Sequence, residues 1–558
     1  MIAGDFDVIV IGGGATGGGV ALDLALRGLR VALVERGDLA AGTSGRYHGL
    51  LHSGGRYAVR DADSARECIT ENRILRRIVP HAIEDTGGFF ITTPDDDPAY
   101  ADTWLAACRD CGIDAAEIPV AEALRQEPAL HPRILRAFRV PDAACDSFDV
   151  LTSMGALLPR LGGATLTYHE VISINVVGAR VKGAVVRNAR TGEMRAISAE
   201  MVVNAAGAWA GRIAAMAGCA ITVRPSKGTL VAMAYRLVNT IINRCHPPAD
   251  GDILVPVGTV AVIGTTSVPV SDPNDTSTQP WEIQRLLAEG EKMVPGFSEV
   301  RALRAWAGVR PLYEEPRTAS GQAGEPRSVS GQAGGGREAK RTFAVLDHLH
   351  RDGVAGLVTV VGGKFTTYRL MAERAADAVC AQLGVDRACS TKDFVLPDAR
   401  VPLSAPRPHW LGHRLEDVEA AKGLDPLICE CELVTRSELE TAAREHPDLP
   451  APWVLDDLRR DLRLGMGPCQ GGFCGYRAAG ALHDMRGLDA AQATSAIADF
   501  AQRRWKGQRP LLWGQSLRQA LLDEHIYRAI LGLDRWAVAE RKVETAPAQG
   551  SLATEAPA

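Results

Sequence analysis

The chain has 558 residues, 46% hydrophobic and 23% charged, as expected of a globular protein with one large domain and one or two small ones. A formal net charge of -5 leaves no electrostatic footprint for nucleic acid, which excludes that class of partner. Twelve cysteines without secretory features point to a reducing compartment and away from a disulfide framework.

In chain order, Phe6 to Ile11 is a β-branched apolar run with the composition of a buried parallel strand, and no signal peptide is expected before it. It leads into Gly12-x-Gly14-x-x-Gly17, and the stretch to about Arg27 has the composition of a helix. In this context Gly12 makes the tight turn, Gly14 lets a pyrophosphate reach the backbone, and Gly17 lets helix and strand pack closely. Phosphate charge then meets the free N–H groups and positive end of the helix. Leu29 to Val34 is a second strand, and Glu35 at its end is an acceptor for ribose hydroxyls, with Arg36 beside it. Strand, glycines, helix, second strand and terminal acid agree on dinucleotide binding. No second Gly-x-Gly-x-x-Gly occurs, which argues against a separate nicotinamide domain and for FAD.

Ala40 to Arg60 is rich in Gly, Ser and His and includes Thr43, Ser44, Arg46, His48, His52, Arg56 and Tyr57. Its polarity suits a loop lying along a cofactor and facing a site. A helix is expected over Ala62 to Val79, and alternating strands over Thr165 to Arg195. Met201 to Val223, the most apolar long stretch, carries Asn204 and Arg212 and many small residues. It reads as strand, turn and helix, with Gly207 close to a cofactor, rather than as a membrane span. Any membrane attachment is therefore expected through a partner. Leu230 to Ala234, Asp252 to Val257 and Thr259 to Thr265 read as an antiparallel floor for a substrate pocket. Residues 317–340 hold SGQAG twice and are expected to be a disordered insertion, as is the tail 543–558. Leu357 to Val361 then repeats the strand–glycine–helix design through Gly362, Gly363, Lys364, Thr366 and Thr367. A cation and N–H donors at a helix start suit an anionic ligand group or the negative edge of a flavin. Three prolines, Pro402, Pro406 and Pro408, mark an interdomain linker.

Cys429-x-Cys431 and Cys469-x4-Cys474 flank a largely helical segment, and the second pair lies among glycines that can aim backbone N–H groups at sulfur. Four thiolates suit zinc or an iron–sulfur cluster. The one-residue gap is less typical of structural zinc, which favours [2Fe–2S]; two redox disulfides are the remaining alternative. A flavin takes two electrons as a hydride and can release them singly, so a one-electron centre in the same chain supplies an exit.

DVIVIGGGATGGGVALDLALRGLRVALVER, HGLLHSGGRYAV, WAGVRPL and GGKFTTYRLMAE resemble FAD-dependent glycerol-3-phosphate dehydrogenases. CECELVT and GMGPCQGGFC are similar to the bacterioferritin-associated ferredoxin-like [2Fe–2S] module. With WKGQRPLLWG, the set resembles the large subunits of the anaerobic, quinone-linked branch of that family. The resemblance implies oxidation of sn-glycerol 3-phosphate to dihydroxyacetone phosphate. It also implies two partners, a second flavoprotein and an iron–sulfur membrane anchor that passes electrons to quinone. The expected location is cytoplasmic, at the inner face of the cell membrane through those partners. Carried over by residue, Arg310 matches the substrate-phosphate arginine, and Lys364 and Thr367 match residues next to substrate and flavin. Arg56 and Tyr57 match the H-x-G-x-R-Y segment. An Arg fork plus Lys suits a dianionic phosphate, and His52 is the candidate base for the hydroxyl proton.

The expected fold is α/β. A Rossmann-type FAD-binding domain interleaves with an antiparallel-sheet substrate domain over 1–399. A linker over 400–424 leads to a small helical [2Fe–2S] domain over 425–480, and C-terminal helices follow over 481–542. Two other readings compete: a flavin-dependent amino-acid or opine oxidase, and a non-enzymatic protein of electron transfer or assembly. Arg310 with Lys364 favours a phosphate over a carboxylate-and-amine substrate.

Overall fold

The computed structural model of the chain describes residues 6–313, 343–397, 415–416, 419–420, 425–445 and 454–533. The insertion at 317–340, most of the linker at 400–424 and the tail at 543–558 lie outside the described residues.

The first strand, Phe6–Ile11, is the centre of an eight-stranded sheet. It pairs in parallel with Val31–Val34 on one side and Met194–Asn204 on the other, and Leu357–Gly362 extends the parallel set beyond the latter. Its alternating side chains serve two different cores. Val8 and Val10 pack under the fingerprint helix, Ala15–Leu26, and the helix Tyr368–Leu383. Ile9 and Ile11 face the antiparallel meander His169–Val177 and Arg180–Asn188 and the short helix Ala210–Ala215. Burial on both faces is why this strand is apolar throughout. The helix over 15–26 is glycine-rich because two other helices crowd it: a Cβ on Gly18 would come 2.8 Å from Leu151, and one on Gly19 would come 3.0 Å from Tyr368.

A nine-stranded sheet forms the second layer. Its spine is Val223–Met233, antiparallel to Ala302–Tyr313 along its whole length and to Val260–Gly264, which in turn pairs with Ile253–Val257. These strands are the expected antiparallel floor. Further out the sheet becomes mixed, because Ile241–Arg244 runs parallel to Gly88–Thr92. The strand Ala302–Tyr313, which carries WAGVRPL, was not legible as one: its Arg, Gly and Pro interrupt the apolar pattern that betrays the others.

Residues 425–445 and 454–533 form a two-stranded ribbon, Leu427–Cys429 with Val434–Thr435, and helices closing on a core that includes Leu439, Leu455, Leu458, Leu482 and Phe500. This unit is joined to the two sheet layers by polar contacts. Arg463 bridges Asp146 and Glu432, at 2.5 and 2.9 Å, and Arg460 reaches Asp38 at 2.7 Å. The Ala305 N–H donates to the Gly507 carbonyl at 2.8 Å, attaching the C-terminal helices to the strand that carries Arg310.

Candidate active site and cysteine centre

A cavity of about 960 Å³ runs from the fingerprint turn to the antiparallel sheet. At its nucleotide end each glycine of the fingerprint has its own constraint. Gly12 has φ +112°, and a Cβ there would lie 2.6 Å from the Ala205 carbonyl oxygen. A Cβ on Gly17 would lie 1.8 Å from the Gly12 oxygen, so Gly17 is a packing residue and is not on the cavity wall. Gly14 is on the wall, and a Cβ there would approach only the Ser44 hydroxyl, at 3.1 Å. Glu35 is oriented by two backbone donors, Gly13 N–H to Oε2 and Gly37 N–H to Oε1, both at 2.8 Å. Each carboxylate oxygen keeps a further lone pair for a ligand hydroxyl. Arg36 stacks over Trp209 at 4.1 Å. Ser44 Oγ accepts from the Ala15 N–H at 2.9 Å, and Thr43 Oγ1 donates to the Val309 carbonyl at 2.6 Å, fastening the loop to both helix start and sheet. Gly207, with φ +56°, leaves open space where a Cβ would be.

The second glycine turn closes the other side. Gly362 and Gly363 have φ of +84° and +78°, and a Cβ on Gly363 would strike Met371 Sδ at 2.3 Å. Lys364 Nζ donates to Ser64 Oγ at 3.1 Å and stands 5.0 Å from the centre of the Tyr57 ring. Thr366 Oγ1 accepts from the His52 N–H at 3.1 Å. Thr367 is buried behind the wall, its hydroxyl donating to the Lys364 carbonyl at 3.2 Å; it supports the turn and does not line the cavity.

Arg310, His48, His52, Arg56 and Lys364 line one region of the cavity. The Arg310 guanidinium reaches across the sheet, its Nη2 donating to Thr265 Oγ1 and, at 3.1 Å, to the Thr266 carbonyl. Gly228 makes room for it: a Cβ there would be 2.3 Å from Arg310 Nη2. Arg56 Nη1 pairs with Asp252 Oδ2 at 2.8 Å. The His48 and His52 rings lie edge to face with centroids 6.0 Å apart. Burial, with Arg56 and Arg310 nearby, holds His48 down to about 3. Burial, then His48, Arg56 and Lys364, holds His52 well below its ordinary value. Both imidazoles are therefore neutral at physiological pH, in a wall rich in fixed cations. His48 Nδ1 accepts from the Leu50 N–H at 3.2 Å.

Sequence reasoning missed Asp252, Gly228 and Thr265 as residues of this wall. Asp252 stands at the start of an ordinary apolar strand, and the other two matter only because strand pairing brings Arg310 over them.

The four clustered cysteines come together. Cys429 is hydrogen-bonded to Cys431 and Cys474, and Cys469 to the same two, so the sulfurs form a ring. These S–H···S contacts, with backbone N–H groups of Glu432 and Gly465 at Cys429 and of Gly471 and Phe473 at Cys469, push Cys429 and Cys469 down. Cys431 and Cys474 are pushed up by the same contacts, so the ring sheds its protons as a unit and not site by site. The turns that aim these N–H groups need left-handed backbone at Leu433, Gly465, Gln470 and Gly471.

Comparison with known proteins adds the following. Residues 7–369 match the model of the FAD dependent oxidoreductase family. The chain is 43% identical over 554 residues to the A subunit of the anaerobic glycerol-3-phosphate dehydrogenase of Escherichia coli (strain K12), covering 95% of this chain and 97% of that protein. It is 41% identical over 551 residues to the A1 subunit of the same enzyme from Haloferax volcanii, covering 94% and 91%. Among solved structures, the fold is similar to that of a glycerol-3-phosphate dehydrogenase from Bacillus halodurans complexed with FAD. That match has TM-score 0.61 and 21% identity and covers 92% of this chain and 97% of that one.

Proposed function

Since the chain belongs to the FAD dependent oxidoreductase family and to the family of the A subunits of anaerobic glycerol-3-phosphate dehydrogenase, we propose that it oxidises sn-glycerol 3-phosphate to dihydroxyacetone phosphate. The observation that carries this reading is the convergence of Arg310, Arg56 and Lys364 around two neutral histidines, on a cavity continuous with the nucleotide cradle.

The residues present fit FAD. Gly14 and Gly207 leave the wall open where a pyrophosphate must approach, Glu35 has acceptor capacity for a ribose, and Thr43, Ser44 and Arg36 border the same channel. Gly362, Gly363, Lys364 and Thr366 form the opposite border. The flavin, when bound, supplies the hydride acceptor. The remaining work falls to side chains of the chain. Arg310 and Lys364 bind the dianionic phosphate, Arg310 as a planar fork and Lys364 as a point charge. Arg56, fixed by Asp252, adds a third cation that favours negative charge on the substrate oxygen as its proton leaves. His52, neutral at rest, takes the hydroxyl proton; the surrounding cations make it a weak base but keep it in its accepting form at neutral pH.

The thiol ring is suited to a [2Fe–2S] cluster held by Cys429, Cys431, Cys469 and Cys474. Four cysteine thiolates are the ligand set such a cluster would take. Such a cluster gives electrons a one-at-a-time route out. Partner proteins, a second flavoprotein and an iron–sulfur membrane anchor, would carry them to a quinone; the Escherichia coli relative is named as one subunit of its enzyme, which supports a multi-subunit assembly. The same partners would attach the chain to the inner face of the cell membrane; no helix among the described residues is long and apolar enough to cross a membrane.

The test is an anoxic spectrum. The protein should carry oxidised flavin and a reducible iron–sulfur signal, and glycerol 3-phosphate should bleach the flavin. Bleaching by amino acids, with glycerol 3-phosphate inert, would establish the amino-acid oxidase instead. Arg310→Ala should raise KM by the equivalent of about 2–4 kcal/mol of lost binding; an unchanged KM removes Arg310 from the phosphate site.

A further inference from the structure

The core that Ile9 and Ile11 share on one face of the parallel sheet includes Cys219, and at its edge three side chains of metal-ligating type meet. Cys219, His348 and Asp352 each offer a ligand atom, and these atoms all lie within 4.8 Å of one another. None of the three lines the cavity. Tetrahedral zinc, with bonds of about 2.0–2.3 Å, sets its donor atoms roughly 3.3–3.8 Å apart, so shifts of about 1 Å bring all three onto one ion.

Two tight local structures build the trio. The short helix His348–Asp352 starts at Asp347, whose Oδ1 accepts the Leu349 N–H at 2.9 Å, and ends at Gly353 with φ +73°. Residues one turn apart share a helix face, and His348 Nδ1 meets Asp352 Oδ2 there. Cys219 comes from a distant part of the chain. The backbone leaves the helix Ala210–Ala215 through Gly218, at φ +76°, and the Cys219 N–H turns back to the Ala214 carbonyl at 3.1 Å. The Cys219 thiol donates to the Asp352 carboxylate. That carboxylate therefore serves a thiol and an imidazole together. It is also the member of the trio that reaches solvent, with a side chain 25% exposed, while His348 and Cys219 are buried beneath it.

The far nitrogen of His348 has the partner that a metal-bound imidazole needs. Nε2 lies 2.9 Å from Thr359 Oγ1, in the strand Leu357–Gly362, and that hydroxyl accepts from Asn204 Nδ2 at 3.2 Å. A hydroxyl oxygen has two lone pairs, so Thr359 can accept from Nε2–H as well, which leaves the Nδ1 lone pair for an ion. Charge is in order too. Arg351 and Asp347 act on His348 with opposite sign, and a thiolate with a carboxylate neutralises a dication.

We propose that Cys219, His348 and Asp352 bind a zinc ion, with water in the fourth position on the exposed side of Asp352. The mixed sulfur, nitrogen and oxygen set suits zinc, whereas calcium and magnesium take oxygen ligands. Binding releases the thiol proton of Cys219 to solvent, and the imidazole keeps its single proton on Nε2, toward Thr359. The ion ties the helix His348–Asp352 to the helix Ala210–Ala215, which follows directly from Gly207–Trp209 on the cavity wall. It is a brace behind the nucleotide end of the cavity, separate from the cysteine ring.

The experiment measures zinc on the holoprotein, passed over a chelating resin and then given zinc with its flavin and iron in place. Zinc retained after gel filtration should approach one ion per chain. Its X-ray absorption should fit one sulfur at about 2.3 Å with nitrogen and oxygen at about 2.0–2.2 Å. Cys219→Ala and Asp352→Asn should each lose this ion; the Asn amide oxygen can still accept from His348, and flavin absorbance reports that both variants are folded. Thr359→Val keeps all three ligands and should weaken zinc about 10- to 100-fold in competition with a chromophoric chelator. Zinc should also raise the melting temperature of the wild type and leave that of Asp352→Asn unchanged. Equal zinc on the wild type and the two ligand variants overturns the proposal. So does a shell of sulfur alone, which puts the ion on the Cys429 ring. An affinity unchanged in Thr359→Val takes His348 out of the ligand set and overturns it as well.

Discussion

The two histidines of the site show how one local environment sets both chemistry and pH response. His48 titrates at about 3 in the folded chain, against an ordinary value near 6.5, with burial the largest cause. His52 is displaced in the same direction. In the unfolded chain both take up protons as pH falls through about 6.5, while the folded chain does not until near 3 at His48. Across that window the unfolded state binds more protons, so stability falls on acidification, by at most about 1.4 kcal/mol per pH unit for each histidine. Replacing His48 with Gln, which can still accept the Leu50 N–H, should flatten this dependence. The denaturant midpoint for flavin release, followed from pH 7 to pH 5, measures it; an unchanged slope would mean that His48 protonates normally.

At the scale of elements, the sequence was legible where a strand is apolar on both faces or a turn needs glycine. Phe6–Ile11, the helix over 15–26, Glu35 and the Leu357–Gly362 turn could be read because each has a strict local requirement. The second strand begins at Val31, two residues later than Leu29, because Gly28 with φ +81° turns the chain out of the preceding helix first. Strand partners were not legible, since pairing is decided by residues far apart in the chain. For that reason Arg310 was found by resemblance, while Gly228, Thr265 and Asp252, brought near it by register, were not found at all. The glycine turn also yields a contrast between two small substitutions. Gly17→Ala places a methyl 1.8 Å from a backbone oxygen that cannot yield, so the strand–turn–helix unit should fail and the protein should be recovered, if at all, without flavin. Gly14→Ala meets only a hydroxyl at 3.1 Å, so the fold should persist with weaker flavin retention. Flavin content and melting temperature, measured side by side, distinguish the outcomes. Equal behaviour of the two variants would contradict this division of roles.

At the scale of the whole molecule, the question is what makes the cavity and the thiol ring one machine. A chain of polar contacts connects them. Ser44, on the cavity wall, accepts from Ser147 Oγ through its carbonyl at 2.8 Å, and Asp146, next in sequence, pairs with Arg463. Arg463 also pairs with Glu432, which follows Cys431 directly and accepts the Thr259 hydroxyl at 3.1 Å. Arg463 is held at φ +62°, an unfavourable backbone for a side chain of its size, which the contacts on both sides compensate. Glu432 is 1% exposed and Asp146 16%, so loss of the guanidinium should cost about 3 kcal/mol, the lower end for a buried pair because Asp146 reaches solvent. Arg463→Met keeps the length of the stem and removes the charge. Glycerol 3-phosphate should then bleach the flavin at close to the wild-type rate, because Arg310, Arg56 and Lys364 are untouched. If the four cysteines hold the proposed [2Fe–2S] cluster, reduction of its signal should lag behind it, and protease should cut more readily between the flavin layers and the thiol unit. Rapid anoxic mixing followed by freezing at set times separates the two rates. If cluster reduction keeps pace with bleaching in Arg463→Met, the contact is not what couples the centres, and the attachment through Arg460 to Asp38 and through Ala305 to Gly507 suffices to hold them.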